Sequence, residues 1–425
     1  MVNALVVSTF EGGYQPLTAI SGATALSNAG ADVDFLDVYV EGAVLERVRD
    51  RDVVAISVPL YDSLMTGIHV ASDIRAINPG VKVVFFGQYA TINAGRLSGK
   101  YGDMTIVGEW EIPLAEMVKF LREGCEPRHP AIIDAQQAAT GLIPHPFRSR
   151  DHFRIPARSI APPLSKYPQR HLDKLLGGSQ IVGGLELTRG CHHKCTYCSV
   201  YAAYDGKVFM VDDDIVLADV RNLVDQGMTH LTFIDADFFN TRKQCVVILK
   251  RIHEAFPHLT FDFTTRVDHI LEQREILGDL ARYGVRCITS ALEFPKQEVL
   301  DQVYKEMTIT MIEKSIAELR RAGITLNPTF IMFNPWVSLD DIATLHDFVT
   351  RNQLEDVIEP IQYETRLHLY KSSPLLQNPT IQALELIEYE FHFDWKHPDP
   401  RVDELYHASI TPPEEGIFKR CCLKC

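Results

Sequence analysis

Short strand-like runs of apolar residues alternate with helical stretches along most of this chain of 425 residues. The first five runs are rich in β-branched and aromatic residues, and they cover 4–10, 32–38, 52–58, 81–87 and 103–109. Between them lie segments such as 16–30 and 61–80, in which apolar residues recur at helical spacing. Repeated strand–helix units favour a parallel sheet with helices on both faces. The sequence therefore predicts an α/β protein whose residues 1–125 form a doubly wound, Rossmann-like domain.

The alternation is interrupted and then resumes. Residues 126–180 hold many prolines and basic residues with little periodicity, so we predict a Pro-rich linker there. Residues 181–375 contain six further strand candidates with helices between them, the last strand lying near 359–370. This pattern predicts a partial (β/α)6 barrel. The mixed residues 376–425 are predicted to form a C-terminal extension with a thiol-rich tail.

Charge and hydropathy narrow the classes of function. The formal net charge is −14 and no basic stripe stands out, which argues against a nucleic-acid partner. No run of about 18 apolar residues occurs, so no membrane span is expected. The first apolar run has no basic leader before it and is followed by Glu11, which is typical of a buried strand and not of a signal peptide. We therefore expect a cytoplasmic protein.

The nine cysteines are too few for a disulfide scaffold, and three of them lie close together. Cys191, Cys195 and Cys198 have C-x3-C-x2-C spacing and follow a strand candidate. Such a loop can present three thiolates to three irons of a cubane cluster, which leaves the fourth iron open for a substrate. Two alternatives are a structural zinc site completed by His192 or His193, and a ferredoxin-like electron carrier.

Residues 181–375 resemble the radical S-adenosylmethionine (SAM) superfamily over their whole length. The resemblance rests on the cysteine motif, on the run 233–238 after the second strand, on the run 265–268 after the third, and on Glu293 after the fourth. It implies a [4Fe–4S] cluster, SAM, and a low-potential electron donor of the flavodoxin or ferredoxin type. It also implies a SAM pocket formed by Tyr197, Asp235, Asp237, Arg266, Glu293 and Arg366. Residues 333–336 depart from the usual G-x-P-G-E-T turn of the family.

The N-terminal domain resembles the cobalamin-binding module found in one branch of this superfamily. The resemblance rests on the run 87–91 and on the D-x-x-x-x-G-E-x-E segment 103–111. Cobalamin is therefore a possible cofactor. The D-x-H-x-x-G motif that supplies a lower ligand is absent, and residues 58–61 are bulkier than the loop expected beside a corrin ring.

The second cysteine cluster is Cys421, Cys422 and Cys425, in the sequence RCCLKC. Three thiolates suit a soft, pyramidal ion such as trivalent arsenic, and the neighbouring Lys and Arg residues should favour the thiolate form. Ligands for a second Fe–S cluster, a redox disulfide or an idle tail are the alternatives. The motif, with the core, resembles the ArsL-type enzymes of arsinothricin biosynthesis. That resemblance implies transfer of the 3-amino-3-carboxypropyl group of SAM to arsenite, with methylthioadenosine left behind.

Two other functions remain open on the sequence. One is a cobalamin-dependent radical SAM methyltransferase, which the N-terminal domain favours. The other is an arsenic- or metal-binding redox sensor without turnover. The cysteine spacing does not tell which carbon group of SAM is transferred, because the C–S bond that breaks depends on how SAM is oriented.

Overall fold

The protein is described by a computed structural model that covers residues 1–149 and 151–410. The chain divides into two compact units. The first unit consists of Met1–Gln169, Ile181–Leu185 and Phe209–Met228. The second consists of Arg170–Gln180, Glu186–Val208 and the chain from Thr229 onward. Within the described residues, no helix combines the length and the apolar character that crossing a bilayer requires.

The first unit is built on a six-stranded sheet. Its strands lie in the spatial order Asp32–Asp37, Asn3–Ser8, Val53–Ser57, Lys82–Phe86, Met104–Ile106 and Ile132–Asp134. The first five are parallel and the last is antiparallel to its neighbour. Its α-helices are Leu17–Asn28, Val38–Glu41, Tyr61–Ile77, Gln88–Leu97, Glu111–Arg122, Ala135–Ala139 and Asp213–Asp225, and Val182–Leu185 is a further strand. The predicted doubly wound α/β domain is confirmed.

Burial on both faces explains the sequence of the central strands. Every residue of Val53–Ser57 is buried, as expected for a parallel strand between two helical layers. On one face, the helices Leu17–Asn28 and Glu111–Arg122 pack together. Trp110 precedes the second of these helices, and its indole N–H donates to Ser21 Oγ at 2.8 Å. The apolar core is therefore continuous from the sheet into the helices.

The segment 126–180 differs from the predicted linker, because residues up to Gln169 belong to the first unit. Ile132–Asp134 adds the antiparallel edge strand. Arg158 is 2% exposed, and its guanidinium donates to both carboxylate oxygens of Asp219 at 2.8 and 2.7 Å. A charge with so little exposure needs such a partner. Residues 126–169 are therefore part of the first unit and not a linker. Their basic residues include Arg158, which forms a buried ion pair, and their prolines lie in irregular backbone.

Tyr167 of the same segment donates its hydroxyl to Asp37 Oδ2 at 2.6 Å. Asp37 ends a strand and accepts the N–H of Tyr39 on its other oxygen at 3.0 Å. Burial raises the pKa of Asp37 from 3.8 to about 6, against the lowering effect of these hydrogen bonds. The folded state therefore holds the Asp37 proton more tightly than the unfolded chain does.

This shift predicts a pH-dependent stability. The contribution of Asp37 is full below about pH 4 and is lost as the pH rises through about 6, by up to about 3 kcal/mol at 1.36 kcal/mol per pKa unit. We expect D37N to remove this loss, so that the melting temperature of the wild type falls relative to D37N between pH 4.5 and pH 7.5. Scanning fluorimetry at several pH values measures it, with exposed Asp32 of the same strand (D32N) as control. A wild-type-minus-D37N difference that does not change with pH would contradict the prediction.

The second unit contains a set of parallel strands. They are His230–Phe233, Thr260–Thr264, Val285–Glu293 and Thr325–Phe330, paired in that order. Thr188–Gly190 is a short strand before the cysteine loop, and Leu369–Tyr370, His392–Trp395 and Leu386–Glu388 form a small antiparallel sheet. Its α-helices are Arg170–Leu176, Ser199–Tyr204, Arg242–Ala255, Val267–Glu272, Leu277–Arg282, Gln297–Gln302, Ile309–Ala322, Leu339–Arg351, Pro379–Gln382 and Pro400–Ser409. Strands alternate with helices as expected.

The sixth predicted barrel strand is reduced to one point of pairing. A single parallel bridge joins Phe333 and Arg366. Residues Pro360–Tyr363 form a 3₁₀ helix, and Leu369–Tyr370 pairs with His392–Trp395 instead. Of the residues near 359–370, Leu369 and Tyr370 belong to the small antiparallel sheet. Sequence periodicity alone cannot distinguish such residues from those of a barrel strand.

Candidate active site at the cysteine loop

The three clustered cysteines lie on one loop of the second unit. The loop follows the strand Thr188–Gly190, and Cys198 caps the helix Ser199–Tyr204. Cys195 is buried, while Cys191 and Cys198 are partly buried. Burial is the main cause that raises the pKa of Cys191 to about 12, and the charges of Asp237, Cys198 and Cys195 act in the same direction. The three thiols thus share one short loop with little exposure.

These surroundings suit a metal cluster. Burial also raises the pKa of Cys198, with the neighbouring Cys195 next in effect. Thiols of this kind stay protonated when free, whereas coordination to iron deprotonates them outright. The spacing, the burial and the three soft donors together fit a [4Fe–4S] cluster with one open iron.

Asp235 holds the backbone that leads into the loop. Its two oxygens accept from the N–H of Leu187 at 3.0 Å, and from the N–H and the hydroxyl of Thr188 at 2.6 Å each. Asp235 is 2% exposed, and burial raises its pKa to about 6 despite these donors. The carboxylate that follows the strand His230–Phe233 thus fixes the backbone that leads to Cys191.

The other end of the loop is held by the segment 370–375. Tyr370 donates its hydroxyl to the carbonyl of Cys198 at 2.7 Å. Ser373 Oγ and the N–H of Leu375 both donate to the carbonyl of Thr196, at 3.1 and 3.2 Å. Hydrogen bonds from this segment therefore hold the loop at its second end, as Asp235 does at the first.

Arg266, which lies just after the strand Thr260–Thr264, brings a positive charge to the loop. Its guanidinium lies 3.5 Å from Cys195 Sγ and donates to the carbonyl of Lys305 at 2.7 Å. Asp268 accepts from it at 2.8 and 2.9 Å and keeps it oriented. A guanidinium at this position stabilises a thiolate or a cluster sulfur.

Tyr197, Glu293 and Lys305 form a buried polar trio on the same side. The Tyr197 hydroxyl donates to Glu293 Oε1 at 2.5 Å, and the Lys305 ammonium lies 2.6 Å from the same oxygen. Glu293 has a φ of +59°, which is uncommon for a residue other than glycine and is often found at functional sites. Burial disfavours the charged form of Lys305, but the Glu293 carboxylate outweighs this and raises its pKa.

Asp237 connects a second group of side chains to the loop. Its Oδ1 accepts from the N–H of Phe239 at 3.0 Å and from the Thr265 hydroxyl at 2.7 Å. Its Oδ2 lies 3.0 Å from His269 Nδ1 and 3.7 Å from Nε2 of His193, which stands between two of the cluster cysteines. Burial lowers the pKa of His193 to about 4, with Arg266 next in effect. The sequence analysis considered His193 for zinc but missed His269, although His269 directly follows the run 265–268 that was singled out.

The remaining predicted site residues lie elsewhere. Arg366 stacks on the rings of Trp395 and Tyr406, at 3.8 and 4.6 Å from their centroids, and pairs with Asp403 at 2.9 Å. Its described contacts thus tie the C-terminal elements together, and its role in SAM binding stays a prediction. Cys421, Cys422 and Cys425 lie outside the described residues.

The segment 103–111 of the first unit is held by contacts within that unit. Asp103 accepts the N–H of Val83 at 2.7 Å. Gly108 has a φ of +96°, and a Cβ there would lie 2.1 Å from the carbonyl oxygen of Phe147, so only glycine fits. Buried Glu109 lies 2.9 Å from His152 Nε2. These contacts show that residues of the segment 103–111 have structural roles within the first unit. By themselves they do not form a binding site for a corrin ring.

Comparison with known proteins supports both domain assignments made from the sequence, the radical SAM domain and the cobalamin-binding module. Residues 185–349 match the Radical SAM superfamily, and residues 3–118 match the B12 binding domain. The chain thus carries a radical SAM domain preceded by a B12-binding domain. A radical SAM domain implies a [4Fe–4S] cluster and SAM as its cofactors, and a reductant as its electron source.

Individual relatives share this combination at low identity. The hopanoid C-3 methylase of Methylococcus capsulatus is 23% identical over 332 residues, which are 76% of this chain and 62% of that protein. The cobalamin-dependent radical SAM enzyme OxsB, solved with aqua-cobalamin, aligns at a TM-score of 0.73 and 15% identity, over 96% of this chain and 66% of that one. The radical SAM methyltransferase TsrM of Kitasatospora setae, solved with cobalamin and a [4Fe–4S] cluster, gives 0.63 and 16%, over 83% and 71%. The chain therefore has the fold of cobalamin-dependent radical SAM enzymes, and spans less than two thirds of the methylase.

Proposed function

We propose that this chain is a radical SAM transferase that moves a carbon group of SAM to an acceptor. The buried three-cysteine loop in a radical SAM domain carries the proposal. When bound, a reduced cluster would supply the electron needed to break a C–S bond of SAM. Cys191, Cys195 and Cys198 would hold the cluster iron, and Arg266 would offset the negative charge at Cys195, whose sulfur lies 3.5 Å from its guanidinium.

Tyr197 and Glu293 are the strongest candidates for positioning SAM. Tyr197 directly precedes Cys198 in the cluster loop, where the resemblance to radical SAM enzymes implies an aromatic residue that packs against the adenine of SAM. Its hydroxyl and the Lys305 ammonium both meet Glu293, which fixes the carboxylate in one orientation. Asp235 acts on the loop backbone, so we propose that it positions the cysteines and does not itself touch SAM.

Transfer of the 3-amino-3-carboxypropyl group to trivalent arsenic is our first specific proposal for the acceptor. The sequence RCCLKC supports it, because Cys421, Cys422 and Cys425 offer three thiolates to a thiophilic, three-coordinate ion. The S–C bond to the aminocarboxypropyl group would break and a C–As bond would form, giving methylthioadenosine and the pentavalent product hydroxyarsinothricin with release of a proton. The step is redox-neutral overall, because the one electron that a reduced cluster would lend for C–S cleavage would return to it as arsenic reaches the pentavalent state.

Cobalamin-dependent methyl transfer is the second candidate, and the comparisons favour it over the first. The B12-binding domain and the likeness to a hopanoid methylase and to TsrM support it. The sequence lacks the D-x-H-x-x-G motif, so a bound corrin has no lower histidine from that source. The carboxyl ends of the parallel strands in the first unit are where such a fold binds ligands.

One experiment separates these candidates. The cluster-loaded enzyme is incubated anaerobically with SAM, a low-potential reductant and arsenite, and the nucleoside product is identified by mass spectrometry. Methylthioadenosine with an arsenic-containing amino acid supports the first candidate. S-adenosylhomocysteine from corrin-loaded protein, independent of arsenite, supports the second. Intact SAM in every condition would overturn the proposed transferase.

The terminal thiols give a separate prediction. We expect C421S/C422S/C425S to weaken arsenite binding by at least about tenfold, since a factor of ten needs only 1.4 kcal/mol and three As–S bonds are lost. Equilibrium dialysis with arsenite measures this, and C125S, which removes an exposed thiol of the first unit, is the matched control. Equal arsenite affinity in the triple variant and in C125S would remove the argument for arsenic as acceptor.

A further inference from the structure

His193, Asp237 and His269 together form a second potential ligand set beside the cluster loop. One ligand atom from each lies within 4.8 Å of those of the other two. The three side chains come from separate segments: the cysteine loop, the segment after His230–Phe233, and the helix that follows Thr260–Thr264. The convergence is therefore a product of the tertiary fold and not of local sequence.

The carboxylate is oriented for coordination. Asp237 is 1% exposed, and its Oδ1 accepts from Phe239 and Thr265 and also lies 3.1 Å from His269 Nδ1. Its Oδ2 has no aligned hydrogen-bond donor among the described residues, although both imidazoles approach it. Carboxylates that bind a metal are usually hydrogen-bonded themselves, as Oδ1 is here, and the buried Oδ2 faces two imidazole nitrogens with which it could share a cation.

The separations are close to those of a coordinated ion. Zinc binds histidine nitrogen and carboxylate oxygen at about 2.0–2.2 Å in a tetrahedron, so neighbouring ligand atoms lie roughly 3.3–3.6 Å apart. The distances from Asp237 Oδ2 to His269 Nδ1 and to His193 Nε2 are 3.0 and 3.7 Å. The imidazole rings stand 4.9 Å apart at 55°, so both can turn a nitrogen to one point.

We propose that His193, Asp237 and His269 bind a divalent first-row metal ion, such as Zn²⁺, next to the cluster loop. Two imidazoles and one carboxylate select borderline ions of this class over Mg²⁺ or Ca²⁺. Three protein ligands leave at least one coordination position for water or for a donor atom of the acceptor substrate. None of its three ligands is a cluster cysteine, although His193 lies in the cysteine loop, and the site gives Asp237 a role other than the predicted contact with SAM.

The test uses cluster-loaded protein in a C421S/C422S/C425S background, so that neither the cluster cysteines nor the terminal thiols compete for the probe. Zn²⁺ is the probe, and its stoichiometry and affinity are measured by elemental analysis after desalting and by calorimetry. We expect one bound Zn²⁺ in the background protein, and at least about tenfold weaker binding in H193Q and in H269Q, since losing a mere supporting contact already costs about 10–100-fold.

His192 offers the matched control, because it is an exposed histidine of the same loop that contacts the carbonyl of Gly206 at 3.2 Å. H192Q should bind Zn²⁺ like the background protein. Iron and sulfide are measured in each variant, and if H193Q loses its cluster the comparison uses H269Q, which lies outside the loop. Equal Zn²⁺ affinity in H269Q and H192Q, or no stoichiometric Zn²⁺ in cluster-loaded background protein, would overturn the site.

Discussion

Serine in place of Cys198 is expected to abolish the iron–sulfur absorption of the reconstituted protein and to reduce SAM cleavage to the uncatalysed background. A hydroxyl does not replace a thiolate as a ligand to a cluster iron, and the loop offers three thiols for three irons. Electron transfer to SAM needs an intact cluster. We therefore expect SAM cleavage to be lost completely, even if some iron stays bound to the variant.

The measurement is iron and sulfide content together with anaerobic SAM cleavage. C245S is the matched control, since Cys245 is a fully buried thiol on the helix Arg242–Ala255 with Thr241 Oγ1 at 3.2 Å. Both variants exchange a sulfur that is partly or fully buried for oxygen, and only C198S should lose the cluster. A C198S protein that keeps four irons and cleaves SAM would rule out the proposed ligand set.

The sequence predicted the parts of this fold that depend on local pattern. Buried parallel strands such as Val53–Ser57 are continuous apolar runs, and the cysteine spacing is visible without a structure. The strand Ile132–Asp134 was missed because three residues give no period to detect. The opposite error concerns the sixth barrel strand, which was predicted near 359–370, whereas Leu369–Tyr370 pairs in the small antiparallel sheet.

The candidate site shows a second limit of sequence reasoning. Tyr197 and Glu293 are 96 positions apart, yet one hydrogen bond joins them. Such pairs depend on which strand ends meet at one edge of a sheet, and periodicity carries no information on this. The roles of Asp235 and Asp237 were likewise indistinguishable in the sequence, because both follow the same strand and only the structure shows what each carboxylate contacts.

Replacing Glu293 by glutamine is expected to destabilise the second unit by about 3–5 kcal/mol, the usual cost of removing one partner of a buried ion pair. Lys305 is 4% exposed and its ammonium lies 2.6 Å from Glu293 Oε1, so the variant leaves a buried positive charge without its carboxylate. The raised pKa of Lys305 means that the ion pair contributes fully below pH 10.5 and is lost only as the pH rises through the higher folded-state value. The effect should therefore persist from pH 7 to pH 9.

Chemical denaturation of the cluster-loaded protein, followed by tryptophan fluorescence, measures the change. E254Q is the matched control, because Glu254 pairs with Lys250 at 3.7 Å on an exposed helix surface, where such a pair contributes about 0–1 kcal/mol. The double variant E293Q/K305M should recover much of the loss, since it removes the unpaired charge together with its partner. If E293Q unfolds at the same denaturant concentration as E254Q, Glu293 is not the buried counter-ion of Lys305, and the orientation that we assign to Tyr197 through this carboxylate loses its support.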